Sequence, residues 1–333
     1  MKIVVDAFGG DYAPYEIVAG VVKALNNNIN LNVVLVGDKD KITEILSQLV
    51  FVSDRLEIVH APDVISMDEV PTVAIRTKKT SSIVVAYDFL KNNEDAVALV
   101  SAGSTGATLT GAVLKLGRIP NVSRPALAPL MPTVNDGNVM LLDCGANAEC
   151  KAEQLLDFAI MGNEYMKAIG VKKPKIALLN IGTEEEKGSE MIKEAHQLLK
   201  NSNLNFIGNI ESRDVLKGTV DVVVADGYSG NICLKTIEGT AEILFGELKE
   251  ITRKSLKNKL GALLLKKSLY GLKNKYDVKK VGGAPLLGVN KIVLKCHGNS
   301  KAESVATTIE QAYTLASNNL IEKVKKQVAK NEE

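Results

Sequence analysis

Residues 96–114 read AVALVSAGSTGATLTGAVL, nineteen positions without a charge. That is the length of a helix crossing a bilayer. Against that reading, Ser101, Gly103, Ser104, Thr105 and Gly106 sit together near the middle, where lipid offers backbone N–H and C=O groups no partner. A buried strand over 96–100, a glycine-rich loop and then a helix account for the same residues better. The stretch predicts an α/β unit, not a membrane span.

Outward from it, apolar runs alternate with helix-length amphipathic stretches. Strands are expected at 2–6, 31–36, 56–60, 96–100, 138–142, 175–179, 204–208, 220–225 and 291–295, and 153–168 (EQLLDFAIMGNEYMKA) has apolar residues at helical spacing. The runs are continuous in Val, Ile and Leu rather than alternating, which means strands covered on both faces. That is a mostly parallel sheet flanked by helices. Ligands in such folds bind beyond the carboxyl ends of the strands.

Composition narrows the function. The 333 residues are 46% hydrophobic and 24% charged, with 26 Gly and 9 Pro, which excludes a collagen, a mucin stalk and a disordered tail. This length suits one large α/β unit or two lobes around a cleft. A net charge of +2 is too small to argue for nucleic acid, and 8 Tyr, 6 Phe and no Trp make a base-stacking platform a poor fit. The four cysteines (144, 150, 233, 296) lack Cys-x-x-Cys spacing, and the three histidines (60, 196, 297) are scattered, so no metal site is expected. The opening MKIVVDAFGG reads as a strand and a turn rather than a secretory signal. Free thiols in a reducing cytoplasm are the expectation.

One segment departs from the even charge balance. Between 249 and 280, eleven basic residues (Lys249, Arg253, Lys254, Lys257, Lys259, Lys266, Lys267, Lys273, Lys275, Lys279, Lys280) face Glu250 and Asp277, a local charge of +9 that leaves −7 on the rest. Leu256, Leu260, Leu263, Leu264 and Leu265 run through it. Two readings stand side by side. It is a basic amphipathic element lying on an anionic membrane, or a solvated face whose leucines enter a core or a dimer interface.

Five glycine turns follow strands: Asp6–Asp11, with Pro14 suited to the next helix's first turn, then Ser101–Ala107, Asp143–Asn147, Asn180–Thr183 and Asp226–Asn231. One such turn is only a turn, but five on the same side of one sheet favour an anion or phosphoester ligand. No Gly-x-Gly-x-x-Gly opens a helix. Gly283–Gly288 has Walker-like spacing, but Val289 and Asn290 follow where Lys and Ser/Thr are required. No Gly-x-Ser-x-Gly elbow with a downstream histidine supports an acyl-serine.

Lys187, in Thr183–Gly188 just after a strand, is either an anion ligand near a helix start or a solvated partner of Glu184, Glu185 and Glu186. Asn231 is either an N-cap or a donor to a developing oxyanion. His297 is a base or a satisfied turn residue. Asp6 and Asp11 are acids or ligands, with helix capping the stronger reading for Asp11.

The ordered set of turns resembles the bacterial acyl-acyl carrier protein:phosphate acyltransferases, the PlsX family, over essentially the whole chain. It rests on VDAFGGDYAP (5–14), IRTKKTSS (75–82), SAGSTGAT (101–108), GRIPNVSRPALAPLMPT (117–133), LLDCGANAECKAE (141–153), NIGTEEEKG (180–188), FIGNIESRD (206–214), VVADGYSGNICLKTIEG (223–239), GGAPLLG (282–288) and KCHGNSKA (295–302). Phe8 and Tyr12 stand where that family usually has Met and His, so no histidine base can be placed there. Ser104 replaces an Asn, Ala152 a Pro and Asn299 a Ser.

The resemblance implies a three-layer α/β/α sandwich of the isocitrate/isopropylmalate dehydrogenase kind. One domain over 1–333 would hold a central cleft, with 240–280 as its basic helical segment. It implies transfer of a long fatty acyl group from acyl carrier protein to inorganic phosphate, without a cofactor, for phospholipid synthesis. Lys187 and Asn231 match the family's catalytic positions. Asp6, Gly9, Gly10, Gly103, Ser104, Thr105, Gly106, Asn147, Gly182, Thr183, Gly230 and His297 are the expected phosphate and substrate contacts. Arg76, Lys78, Lys79, Arg118 and Arg124 are candidates for docking the acidic carrier. A homodimer, peripheral contact with an anionic membrane and a downstream membrane glycerol-3-phosphate acyltransferase complete the expected partners, with no nucleic acid. The rivals are a phosphate acetyltransferase using acetyl-CoA, an oxidoreductase of the same fold and a non-catalytic lipid- or anion-binding scaffold.

Overall fold

The computed structural model describes residues 1–51, 53–276 and 281–330. The chain opens with β1 (Lys2–Asp6), α1 (Tyr15–Asn27), β2 (Asn32–Gly37), α2 (Lys39–Leu46), β3 (Leu56–His60), α3 (Pro71–Thr77), α4 (Ser82–Asn92), β4 (Ala96–Ser101), α5 (Thr105–Gly111) and β5 (Ala126–Leu127). It continues through β6 (Leu130–Pro132), β7 (Asn138–Leu142), α6 (Ala152–Ala168), β8 (Ile176–Asn180), α7 (Glu190–Lys200), β9 (Phe206–Glu211), β10 (Val222–Val224) and α8 (Gly227–Arg253). The last elements are α9 (Leu256–Lys275), β11 (Ala284–Leu287), β12 (Ile292–Lys295), α10 (Ala302–Ser317) and α11 (Leu320–Lys330).

These strands form two sheets, ordered β3-β2-β1-β4-β12-β11-β5 and β6-β7-β10-β8-β9. Only the pairs made by β11 with β12 and β5, and by β6 with β7, are antiparallel. The expectation of a single sheet is therefore corrected. The break falls between Leu127 and Leu130, where the chain leaves the edge of one sheet and starts the edge of the other. Pro129 sits at the crossing and has no N–H to carry a ladder through. Two bonds still stitch the edges, from Cys144 N to Leu127 O (2.9 Å) and from Leu141 N to Pro129 O (3.1 Å).

Strand alternation sorts the core. Ile3, Val5, Met140 and Leu142 point to one face, where α1, α6, α10 and α11 pack as a common layer. Val4 points the other way, toward α3, α4 and α5, and Val139 and Leu141 toward the start of α8. This is the three-layer α/β/α architecture. Close approach fixes the layers, since a Cβ at Gly20 of α1 would stand 2.6 Å from Val305 of α10.

Residues 96–114 resolve as the strand β4, a loop, α5 and a π-helical turn over Ala112–Leu116. No helix among the described residues is long and apolar enough to cross a membrane. Within the basic segment, α9 has no buried residue, and Leu256 and Leu264 are 84% and 81% exposed. The reading that these leucines enter the chain's own core is thereby excluded. Asp277, Lys279 and Lys280 lie outside the described residues.

Candidate active site

From β1 the chain builds the sheet outward first on the β2 side and then on the β4 side, and this switch opens a crevice beyond the carboxyl ends of β1 and β4. The turns after these strands meet there. A Cβ at Gly9 would come within 2.6 Å of both Asp6 Oδ2 and Gly103 N. Glycine at these positions is what lets the turns touch. Asp6 lies beneath them, 2% exposed, accepting from Ser101 Oγ (2.7 Å) and Phe8 N (3.3 Å). Burial raises its pKa against the pull of those bonds. Gly10 takes φ +108° beside Ala102, Ser104 caps α5 through Ala107 N, and Gly106 packs on Pro71. These residues build the floor of the crevice. Asp11 does not cap α1, whose first turn has no side-chain cap; its N–H donates to Gly298 O (2.8 Å). Pro14 falls one residue before the helix.

On the second sheet, Asp143 is fully buried at the end of β7 and gathers its own turn. Its Oδ1 accepts from Leu127 N (2.8 Å) and Ala146 N (3.2 Å), and its Oδ2 from Asn147 N (2.7 Å) and Asn147 Nδ2 (2.9 Å). Asn147 also donates to Pro125 O (2.7 Å), so its amide is committed to the turn. The start of α8 lies directly against this turn. A Cβ at Gly227 would stand 2.4 Å from Asn147 O, and one at Gly230 2.0 Å from Asp143 O. Asp226 caps the helix, accepting from Ser229 N (2.8 Å). Asn231 is therefore not the cap. It stands one turn inside the helix beside Gly145, and its amide makes no hydrogen bond among the described residues.

Between the two floors lies a cavity of about 320 Å³, lined among others by Thr105, Gly145, Asn231, Lys235, Glu238, Lys295, Cys296 and His297. It unites three of the sequence-predicted site residues: Thr105, Asn231 and His297. It also holds Lys295, which the sequence reading passed over. The signal was a lysine closing the apolar strand Ile292-Val293-Leu294, where a surface residue would ordinarily be assumed. Lys295 is 9% exposed and donates to the carbonyls of Cys296 and, at 3.4 Å, Ala102. Burial lowers its pKa.

Lys187 does not line this cavity. It sits in the exposed loop between β8 and α7, with its side chain across Gly182, whose Cβ would stand 3.1 Å from Lys187 Cγ. The reading as a partner of the neighbouring glutamates is not realised. Glu185 pairs with Lys200 (2.8 Å), and no carboxylate pairs with Lys187 among the described residues. Thr183 is exposed in the same loop. This loop adjoins a second cavity of about 960 Å³ on the opposite face of α8. Asn180, Gly188 and Asp226 are at its polar end, and Ile232, Ile237, Leu244, Phe245 and Leu248 line the rest. The first turns of α8 thus stand between the Lys187 loop and Asn231.

A third cavity of about 890 Å³ is lined by Arg76, Arg118, Arg124 and Lys151, with Glu153 the single carboxylate among the described residues. Asn147 borders it. Of the other docking candidates, Lys78 is tied to Glu69 (2.8 Å) and Lys79 is not in the lining. The thiols are poor nucleophiles. Burial raises all four, Cys150 to about 11.

The family described as "Fatty acid synthesis protein" matches residues 1–323. A phosphate acyltransferase of Thermoanaerobacterium thermosaccharolyticum is 47% identical over 98% of this chain and 97% of its own. One from Clostridium novyi is 46% identical over 98% of each. Among solved structures, a phosphotransacetylase from Streptococcus pyogenes superposes with a TM-score of 0.61 at 21% identity, covering 95% of this chain and 94% of its own. The last likeness is one of fold. Identity near one half along almost the entire length is decisive for descent, and the chain belongs to the family of fatty acid synthesis proteins that includes the bacterial phosphate acyltransferases.

Proposed function

We propose that this protein transfers a long-chain fatty acyl group from acyl carrier protein to inorganic phosphate, yielding an acyl phosphate for phospholipid synthesis. The observation that carries the reading is the inter-sheet cavity, which sets the unengaged Asn231 amide and the Lys295 ammonium around one space. Every cysteine is held protonated by burial, so the enzyme offers no thiolate of its own. Phosphate is then the nucleophile. One of its oxygens adds to the thioester carbonyl, and Asn231 donates to the oxyanion that forms. The C–S bond breaks, and the carrier thiol departs with the proton that phosphate gives up. Lys187, on its exposed loop across the first turns of α8, supplies a cation beside the apolar cavity, where the anionic substrate approaches.

Two features favour a long-chain carrier substrate over acetyl-CoA. The 960 Å³ apolar cavity beginning near the Lys187 loop suits a fatty tail. The arginine-lined cavity beside Asn147 suits an acidic protein and its phosphodiester arm. The exposed leucines and lysines of α9 support contact with an anionic membrane or with a second copy in a homodimer, and the proposal places the enzyme in the cytoplasm at the membrane's inner face. The test is phosphate-dependent thiol release from palmitoyl-acyl carrier protein, with palmitoyl-CoA and acetyl-CoA alongside. Release from the carrier substrate with acyl phosphate appearing is the expected result. Preference for acetyl-CoA, or no release from any donor, refutes the reading.

A further inference from the structure

Resting on that reading, we propose that Lys295 is the cation that holds the phosphate nucleophile in the inter-sheet cavity. Its placement is set by the fold. Parallel pairing of β12 with β4 puts Lys295 beside Ser101, where both strands end at the crevice. Its side chain is nine-tenths buried, and among the described residues its Nζ bonds only the carbonyls of Cys296 and Ala102. An ammonium has three protons to donate, so these carbonyls leave one. No carboxylate forms an ion pair with it among the described residues. The acidic group sharing its cavity, Glu238, is taken by Lys235 at 2.6 Å. Asp6 and Asp11 act on it through space, but neither forms an ion pair with it, and the Asp6 oxygens are held by Ser101 and Phe8. A cation taken out of water with no carboxylate bonded to it is costly. An anionic ligand in the cavity removes that cost, and phosphate is the anion of the proposed reaction. Asn231 and Lys295 lining one space also places the nucleophile next to the group assigned to the oxyanion. Lys187, in its exposed loop, is not in that lining.

The test replaces the charge and keeps the volume, as Lys295→Met, which an apolar strand end tolerates. The expected result is a rise of about 10- to 100-fold in KM for phosphate, the loss of one charged hydrogen bond, with KM for acyl carrier protein unchanged. A second readout needs no turnover: inorganic phosphate should raise the melting temperature of the wild type and not that of Lys295→Met. Unchanged KM for phosphate together with unchanged stabilisation by phosphate overturns the proposal. If the wild type forms no acyl phosphate while phosphate still stabilises it through Lys295, the anion site stands and the proposed reaction falls.

Discussion

Gly230→Ala adds one methyl group where the structure leaves no room. The new Cβ would stand 2.0 Å from Asp143 O, and ordinary contact begins at 3.4 Å, so the first turn of α8 must retreat by about 1.4 Å. Neither side yields by a side-chain rotation, since both are backbone and Asp143 is held by four hydrogen bonds. In an exposed helix the same change stabilises by about 1 kcal/mol. Here overpacking costs about 1–3 kcal/mol, which reverses the sign. The activity falls further than the stability. Asn231 is the next residue, and a displacement of about 1 Å at a catalytic group costs about 10²-fold in rate. Thiol release from palmitoyl-acyl carrier protein and a thermal melt measure both effects. Wild-type turnover with an unchanged or raised melting temperature would refute the argument that this contact positions Asn231.

The remaining predictions concern the groups around that centre. Asn231→Ala should lower kcat by about 10²–10³-fold, the cost of one oxyanion donor, and leave the melting temperature unaltered because its amide is unbonded; kcat within a few-fold of wild type would remove it from the mechanism. Arg76→Glu with Arg124→Glu should raise KM for the acyl carrier by about tenfold without moving KM for phosphate, and equal shifts in both would point to a collapsed site. With Cys150 at about 11, roughly one thiol in a thousand is ionised at pH 8, so labelling of the native protein should be slow and rise tenfold per pH unit. The folded value lies above the ordinary 9.0, so the protonated thiol favours the folded state, and its share of stability is lost as pH climbs from about 9 toward 11. Rapid native labelling at pH 8 would contradict this.

The long strands were legible because each is a continuous β-branched or leucine run. KIVVD, LEIVH and NVMLL fall on β1, β3 and β7 residue for residue, and 153–168 lies within α6. The three strands not foreseen, at Ala126–Leu127, Leu130–Pro132 and Ala284–Leu287, are short and contain or adjoin proline. Their strand character comes from neighbours, not from their own pattern. The division into two sheets rests on these same segments and was hidden with them. Site residues were legible by type but not by duty. Gly9 and Gly230 stand where the turns required glycine, but they serve close packing of backbone on backbone. Lys295 was missed because burial of a strand-end lysine is set by α10 and the neighbouring turns, which lie far away in the chain.

Helix α8 runs for 27 residues from the Asp143 turn to the junction with α9, about 40 Å at 1.5 Å per residue. Its first turn is wedged against backbone, and its far end leads into α9, whose Lys275 returns to bond Val134 O and Asp136. An unbroken ladder of hydrogen bonds joins the two, so the helix is a strut and not a tether. A displacement of the α8–α9 junction is therefore passed along the axis of α8 to the turn that carries Asn231. The facing of that turn is set as well, since each residue along a helix turns the next by a fixed angle.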